Sequence, residues 1–538
     1  MTEKKRARSL AGIAGIVAIA TLISKVFGLV RQQAIAAAFA VGPVADAYNF
    51  AYVIPGFLLV LLGGINGPFH SAIVSVAAKR KKEEIAPLIE TMTTLVGIVL
   101  LGVMAALILF AAPLIDLVAR GLSQSEVGLE SRAIAIQQLQ IMSPMAVLAG
   151  LIGIGFGALN AADQYWLPSI SPLFSSVMVL LGLGGLALGL GGDIAAPEYA
   201  LLGGSVLALS TLAGAVLQWL AQVPALWRSG LGKLRLRLQF QDPGVRNVFK
   251  ILGPATFSSG MMQINVYTDL FFASYIPQTA AALGYANLLV QTPLGIISNV
   301  ILVPFLPIFA RLADPIHWPD LKNRIRQALL FVALTMLPLS ALIITLALPI
   351  VRVIYERGAF DQEASQVVTS LLIAYGIGMF VYLGRDVLVR VFYALGDGQT
   401  PFRISLFNIG LNALLDLILI KLLGAPGLVL ATVGVNIISM LAMLVLLDRK
   451  LNGLPWLDWG KPILALTVCS GLAGVVSWSI RWGGEQLFGT DPGFLMQLLQ
   501  LSLAGTGGLG VFVGCVFGLQ IPEAALLANR LRERFLRR

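Results

Sequence analysis

Hydrophobic residues in this chain run in long blocks, separated by short polar connections, along its whole length. Fourteen blocks can be drawn, near residues 9–38, 44–76, 86–119, 133–160, 167–191, 198–226, 246–275, 280–311, 323–355, 363–395, 402–421, 426–447, 460–480 and 493–518. A helix of about 20 apolar residues crosses the hydrocarbon of a bilayer. Only helices and closed barrels satisfy their own backbone there. The pattern therefore predicts an all-α polytopic membrane protein with 14 transmembrane helices. Several blocks are longer than one crossing needs, so those helices must tilt, bend or protrude. Pro55, Pro68, Gly63, Gly64 and Gly67 in helix 2, Pro254 in helix 7, and Pro293, Pro304 and Pro307 in helix 8 mark expected breaks. Neighbours or cavity water must satisfy the backbone groups such breaks release.

Composition makes lipid the solvent. The 538 residues are 57% hydrophobic and only 12% charged, against about 25% charged in a soluble domain. Lys and Arg number 37 against 27 Asp and Glu. The surplus gathers at Lys4, Lys5, Arg6 and Arg8, at Lys79 to Lys82, from Arg228 to Arg246, from Arg311 to Arg326, at Arg449 and Lys450, and from Arg530 to Arg538. These are the termini and the even-numbered connections, so the positive-inside rule puts both termini in the cytoplasm. Lys421, at a predicted outer end, runs against the rule. The basic start followed by a long apolar run, with no small-residue cleavage site, reads as a retained first helix. The charge is a matter of topology and of contact with anionic lipid, and nucleic acid is not an expected partner. Cys469, Cys515, His70 and His317 are isolated in the sequence and suggest neither a disulfide framework nor a metal cluster.

The longest polar linker divides the chain, and the two sides repeat. Phe156-Gly-Ala-Leu-Asn160 returns as Phe392-Tyr-Ala-Leu-Gly396, and Ala112-Pro113 ahead of Arg120-Gly121 returns as Leu348-Pro349 ahead of Arg357-Gly358, at offsets of 236 and 237 residues. The expected organisation is a lobe of six helices (1–228), a cytoplasmic linker (229–245), a second lobe of six (246–450), and a pair of extra helices with a basic tail (451–538). Six spans per repeat give both repeats the same membrane orientation. Transporters of that kind carry substrate between the repeats.

No catalytic constellation is present: there is no Walker sequence, no nucleophile triad and no dinucleotide fingerprint. An enzyme is not expected, and the energy for transport must come from an ion gradient, the membrane potential or the substrate gradient. Charges inside apolar spans are costly and usually face a bundle interior or a wet cavity. Lys25, Arg31, Asp46 and Asn49 in helices 1 and 2, with Gln263 in helix 7, form one such group of net charge +1. It suits an anionic headgroup such as a pyrophosphate, since arginine grips phosphate with two bonds and lysine offers a point charge. The plainer alternatives are snorkelling cations or an ion pair holding helices 1 and 2. A second group is Asp269 in helix 7 with Asn412 and Asp416 in helix 11, one turn apart on one face, and Thr432 in helix 12. These hard oxygens suit Na⁺; alternatively each acid pairs separately with a base such as Lys421 or Arg385. Arg385, Asp386 and Arg390 in helix 10 read as inter-helix or interfacial groups.

Ser24-Lys-Val-Phe-Gly-Leu-Val-Arg31, then Ala45-Asp-Ala-Tyr-Asn49 and Pro55, resemble the opening of the MurJ/MviN family of the multidrug/oligosaccharidyl-lipid/polysaccharide exporter superfamily. Tyr285-Ala-Asn-Leu-Leu, Pro293-Leu-Gly, Phe392-Tyr-Ala-Leu and Thr400-Pro401 match further landmarks, and the likeness spans the whole chain. The resemblance implies a flippase of the bacterial cytoplasmic membrane. It would move undecaprenyl-pyrophosphate-linked peptidoglycan precursor (lipid II) to the outer leaflet by alternating access, as a monomer, with cell-wall synthesis proteins as further partners. It implies that Lys25, Arg31 and Asp46 hold essential cavity positions. It also implies that Asp269, Asn412, Asp416 and Thr432 bind sodium, with a carbonyl near Leu428 completing the shell; no other cofactor is expected. Leu59, Val60, Leu288 and Gln291 depart from charged positions common in the family. A flippase for another polyprenyl-linked saccharide and a drug/cation antiporter are the alternatives.

Overall fold

The computed structural model describes residues 3–64, 68–77, 80, 82–233, 235–239, 241–489 and 493–519. Gly67, Lys79, Lys81 and the basic tail Arg530 to Arg538 lie outside the described residues. The described residues are helical or irregular, with no strand among them. The first predicted span is α1 (Glu3–Phe39). The second divides into α2 (Pro43–Gly63) and α3 (Pro68–Ala77), and the third into α4 (Lys82–Leu109) and α5 (Ala111–Val118). The fourth is α6 (Glu126–Met142) and α7 (Met145–Ala161), bent by 43°. There follow α8 (Trp166–Ile170), α9 (Pro172–Leu190), α10 (Ala200–Arg228) and α11 (Pro243–Ala273). The expected break in helix 8 is a π-turn, Ser298–Leu302, between α12 (Thr279–Ile297) and α13 (Val303–Arg311). The chain continues through α14 (Trp318–Tyr355), α15 (Gln362–Ala394), α16 (Gln399–Leu423), α17 (Ala425–Lys450), α18 (Trp456–Phe488) and α19 (Phe494–Gly518). Among the described residues eleven helices are long and apolar enough to cross a membrane, or twelve with α6 and α7 taken as one span. Helices α1 and α11, of 37 and 31 residues, lie on the two remaining predicted spans, an arrangement compatible with 14 crossings.

The chain forms two compact units, residues 1–281 with 357–360, and 282–356 with 361–538. In the first, α2 lies on α6 and α7, α4 on α7, α9 on α10, and α1 on α9. Helix α11 packs on α3 and α2. Its Val248 and Leu252 share one buried cluster with Ile73, Leu88 and Met92. For that reason the first unit runs past the polar linker at 229–245 to Ala281. In the second unit α14 packs on α15 and α18, α18 on α19, and α17 on both α15 and α16.

The sequence repeat is also a backbone repeat. Phe110 leaves helical geometry at φ −105°, ψ 22° and Leu346 at φ −111°, ψ 15°, each three residues before the repeated proline, Pro113 or Pro349. A proline ring clashes with the carbonyl four residues back and supplies no N–H, which bends the chain there. After the second proline, Gly358 takes φ +61° and lies directly on the Ala37 carbonyl, an approach that any Cβ would block.

Asp397, in the connection from α15 to α16, accepts hydrogen bonds from Thr400 N–H (3.0 Å), Thr400 Oγ1 (2.8 Å) and Lys450 Nζ (2.6 Å). Burial raises its pKa, but the bonds from Lys450 and Thr400 outweigh burial and bring the carboxyl from 3.8 down to about 2. A depressed carboxylate pKa stabilises the fold above the unfolded-state value and loses that contribution as pH falls through the folded one. The wild type should therefore melt above Asp397→Asn at pH 7, and the gap should close between pH 4 and 2. Thermal unfolding in detergent across that range checks it.

Candidate substrate and ion sites

The front-half polar residues separate on inspection. Lys25 is exposed on α1 beside Ser24, whose hydroxyl bonds the carbonyl of Ser169 at 3.3 Å. Six residues along a helix turn the side chain by about 240°, so Arg31 points to a different side. It is half-buried, and its Nε has no hydrogen-bond partner among the described residues. On α2, the Tyr48 hydroxyl bonds Thr211 at 3.0 Å and its ring stacks on Tyr52 at 5.4 Å.

Asp46 caps a helix start. It is only 3% exposed. Its Oδ2 accepts from Gln278 N–H at 2.9 Å and its Oδ1 from Ala281 N–H at 2.8 Å. Those amides belong to the turn that opens α12. The carboxylate is thus a cap on a helix start, where partial positive charge from unpaired N–H groups favours an anion. Among the described residues it forms no ion pair with Lys25 or Arg31, and both its oxygens are engaged by backbone N–H groups. Close by in the chain, Gly121 N–H donates to Ser274 Oγ at 2.9 Å and Ala359 N–H to the Ala37 carbonyl at 2.8 Å. Residues 37–46, 121, 274–281 and 357–360 are therefore stitched together largely through backbone.

Asn49 and Gln263 are not brought together. Asn49 Nδ2 bonds its own helix at the Ala45 carbonyl, 2.8 Å away. Gln263 lies one turn before Tyr267, whose hydroxyl reaches the Val53 carbonyl at 3.5 Å and whose ring meets Phe57 edge-on at 6.0 Å. Because Phe50 packs with Leu270 further along the same pair of helices, Gln263 falls about two turns from the level of Asn49.

In the second unit, Asn412 and Asp416 are buried, at 1% and 0% exposure. Asn412 Nδ2 donates to Asp416 Oδ2 at 2.9 Å, and Thr432 Oγ1 donates to Asn412 Oδ1 at 3.4 Å. Leu428, one turn before Thr432 on α17, is buried at 1%. Carboxylate, amide and hydroxyl oxygens thus line one dry spot, a donor set that fits a hard monovalent cation. Asp269 stands on α11 in the first unit. Among the described residues no three of His, Cys, Asp and Glu gather as a transition-metal centre. Arg385 ties three helices through hydroxyls, with Nε on Ser439 (3.0 Å) and Nη2 on Ser405 (3.4 Å). Its role is inter-helix bonding, as its position in a long span suggested. The sequence reading missed the pair of His70 and Asn160, 2.6 Å apart between α3 and α7; two lone polar residues 90 positions apart carry no local signal.

The family profile described as "Lipid II flippase MurJ" matches residues 35–489. The chain belongs to the MurJ family. A protein of a Synechocystis species named "Probable lipid II flippase MurJ" is 57% identical over 535 residues, 99% of each chain. The Burkholderia cenocepacia protein named "Lipid II flippase MurJ" is 28% identical over 485 residues, 86% of this chain and 89% of its own. In fold the chain is similar to a solved "Lipid II flippase MurJ, inward closed conformation", with TM-score 0.72 and 22% identity over 93% of this chain and 99% of that one. It is less similar to an inward-facing multidrug resistance MATE family transporter, with TM-score 0.64 and 14% identity over 82% of this chain. As a MurJ-family protein with many apolar helices it is a polytopic membrane transporter. The residues that family resemblance had marked are divided by the structure between a half-buried cation, Arg31, and a structural cap, Asp46.

Proposed function

We propose that this MurJ-family chain moves lipid II from the inner to the outer leaflet of the bacterial cytoplasmic membrane by alternating access, with both termini in the cytoplasm and without a chemical step. The family match over residues 35–489 carries the reading. The local support is Arg31, whose buried Nε has no partner among the described residues while the nearby acid Asp46 is already engaged with amides. That leaves Lys25 and Arg31 as net positive charge for a pyrophosphate, and guanidinium is the better bidentate grip. The test is rescue of a bacterium depleted of its own lipid II flippase. Growth on wild-type chain supports the reading, and lysis despite normal membrane levels of protein would sink it in favour of another polyprenyl-linked cargo.

We further propose that Asn412, Asp416 and Thr432, with the Leu428 carbonyl, hold Na⁺, coupling transport to the ion gradient. A ligand that binds only the folded state raises stability by about 2.7 kcal/mol at a hundredfold excess over Kd. Na⁺, but not K⁺, should raise the melting temperature of the wild type, and Asp416→Asn should remove the difference. Equal melting in the two salts would exclude the site.

A further inference from the structure

The connection between α10 and α11 alternates cation or amide with apolar residue: Lys233-Leu-Arg-Leu-Arg-Leu-Gln-Phe240. Part of this segment is strapped along the beginning of α4. Lys233 N–H donates to Glu90 Oε1 at 3.0 Å and Arg237 N–H to Thr94 Oγ1 at 3.1 Å. The Arg237 guanidinium meets Glu90 Oε2 at 3.4 Å. With its backbone held by α4, the strap leaves Leu236 and Leu238 92% and 57% exposed. Lys233 and Arg235 are exposed beside them. Two bare leucines beside two cations give this polar connection an amphipathic outer face.

The depth of the strap says what that face meets. Helix α4 opens with Glu84, Glu90, Thr91, Thr93 and Thr94, and then runs without a charge from Leu95 to Ile115 in α5. About 20 apolar residues fill the hydrocarbon, so Glu90 and Thr94 stand at its edge, and the strap they hold lies at the level of the headgroups. Trp227, half-exposed at the end of α10, belongs to the same zone, where tryptophan collects.

We propose that the strap of residues 231–233 and 235–239 is an interfacial foot that docks on the anionic phospholipid of the inner leaflet. Lys233 and Arg235 take lipid phosphates, and Leu236 and Leu238 enter the acyl-chain boundary. Arg237 is spent on Glu90 and is not among the lipid-facing cations. The foot would hold the connection between the two repeats against the bilayer. The proposal uses the orientation given under the proposed function but not the identity of the cargo, so failed rescue by lipid II flipping leaves it intact.

The test uses the full chain in nanodiscs. In a Cys469→Ser, Cys515→Ser background, Leu236→Cys carries an environment-sensitive fluorophore. In discs containing phosphatidylglycerol, emission should be quenched by phospholipid brominated high on the acyl chain and shielded from aqueous iodide. In discs of phosphatidylcholine alone the docked fraction should fall. Each of Lys233→Gln and Arg235→Gln should lower the ratio of docked to undocked label roughly five-fold, the equivalent of ~1 kcal/mol per cation. Arg237→Gln removes the ion pair to Glu90 but keeps both backbone bonds to α4, so the docked fraction should stay near that of the wild type. Iodide quenching equal to that of a free dye, or lipid quenching indifferent to phosphatidylglycerol and to both cation substitutions, would overturn the proposal.

Discussion

Arg31→Ala should abolish rescue of a flippase-depleted bacterium at normal protein levels, while Arg31→Lys retains part of it. Arg31 is the intramembrane cation of the front half whose Nε is buried and lacks a partner among the described residues. A hydrogen bond to a charged group contributes about 1.5–3 kcal/mol, so losing it weakens headgroup binding roughly 10- to 100-fold. Lysine restores the charge without the fork, which is why it rescues only in part. Folding should be unharmed, because Arg31 satisfies no buried acid in the described structure. Binding of a fluorescent polyprenyl pyrophosphate to purified protein, measured beside its melting temperature, separates the two effects. Wild-type binding by Arg31→Ala would remove this residue from the cargo site.

Asp46→Ala should act in the opposite manner, costing stability first. Its carboxylate is the acceptor for Gln278 and Ala281 N–H. An amide left unsatisfied in a buried place costs about 1–3 kcal/mol, so two of them cost several kcal/mol. The melting temperature should fall markedly, and amide exchange at Gln278 and Ala281 should accelerate with it. Asp46→Asn, which keeps an oxygen acceptor but not the charge, should fall between. Binding of the headgroup probe to whatever fraction stays folded should be close to normal. A variant that loses binding yet melts like the wild type would return Asp46 to the substrate site. The two substitutions together thus distinguish a contact residue from a residue that shapes the fold, although both are charges embedded in neighbouring apolar helices.

How much of this was legible beforehand varies residue by residue. Pro113 and Pro349 were visible as a repeated pair, and the structure places the same backbone break three residues ahead of each. A proline acts on its own turn, so its effect can be read locally. Asn412 and Asp416 could be placed on one face by their spacing, and they do hydrogen-bond. Asp46 could not be read in this way. Its partners lie 232 and 235 residues further on, and they are backbone amides, which every residue but proline owns. Nothing in the identity of Gln278 or Ala281 announces them. The placement of α11 in the first unit was equally hidden, because the polar linker before it looked like a boundary while its packing partners are on α2 and α3.

By itself the sequence determined the solvent, the all-helical class, the repeated halves and the paired break ahead of Pro113 and Pro349. Those follow from apolar run length, from proline chemistry and from self-similarity, all of which are local or periodic. Only the tertiary structure decided which embedded charge is spent on backbone amides of another helix. That choice turns on whether an oxygen or nitrogen meets a partner across hundreds of residues, and hydrogen bonds form between neighbours in space, whatever their separation along the chain.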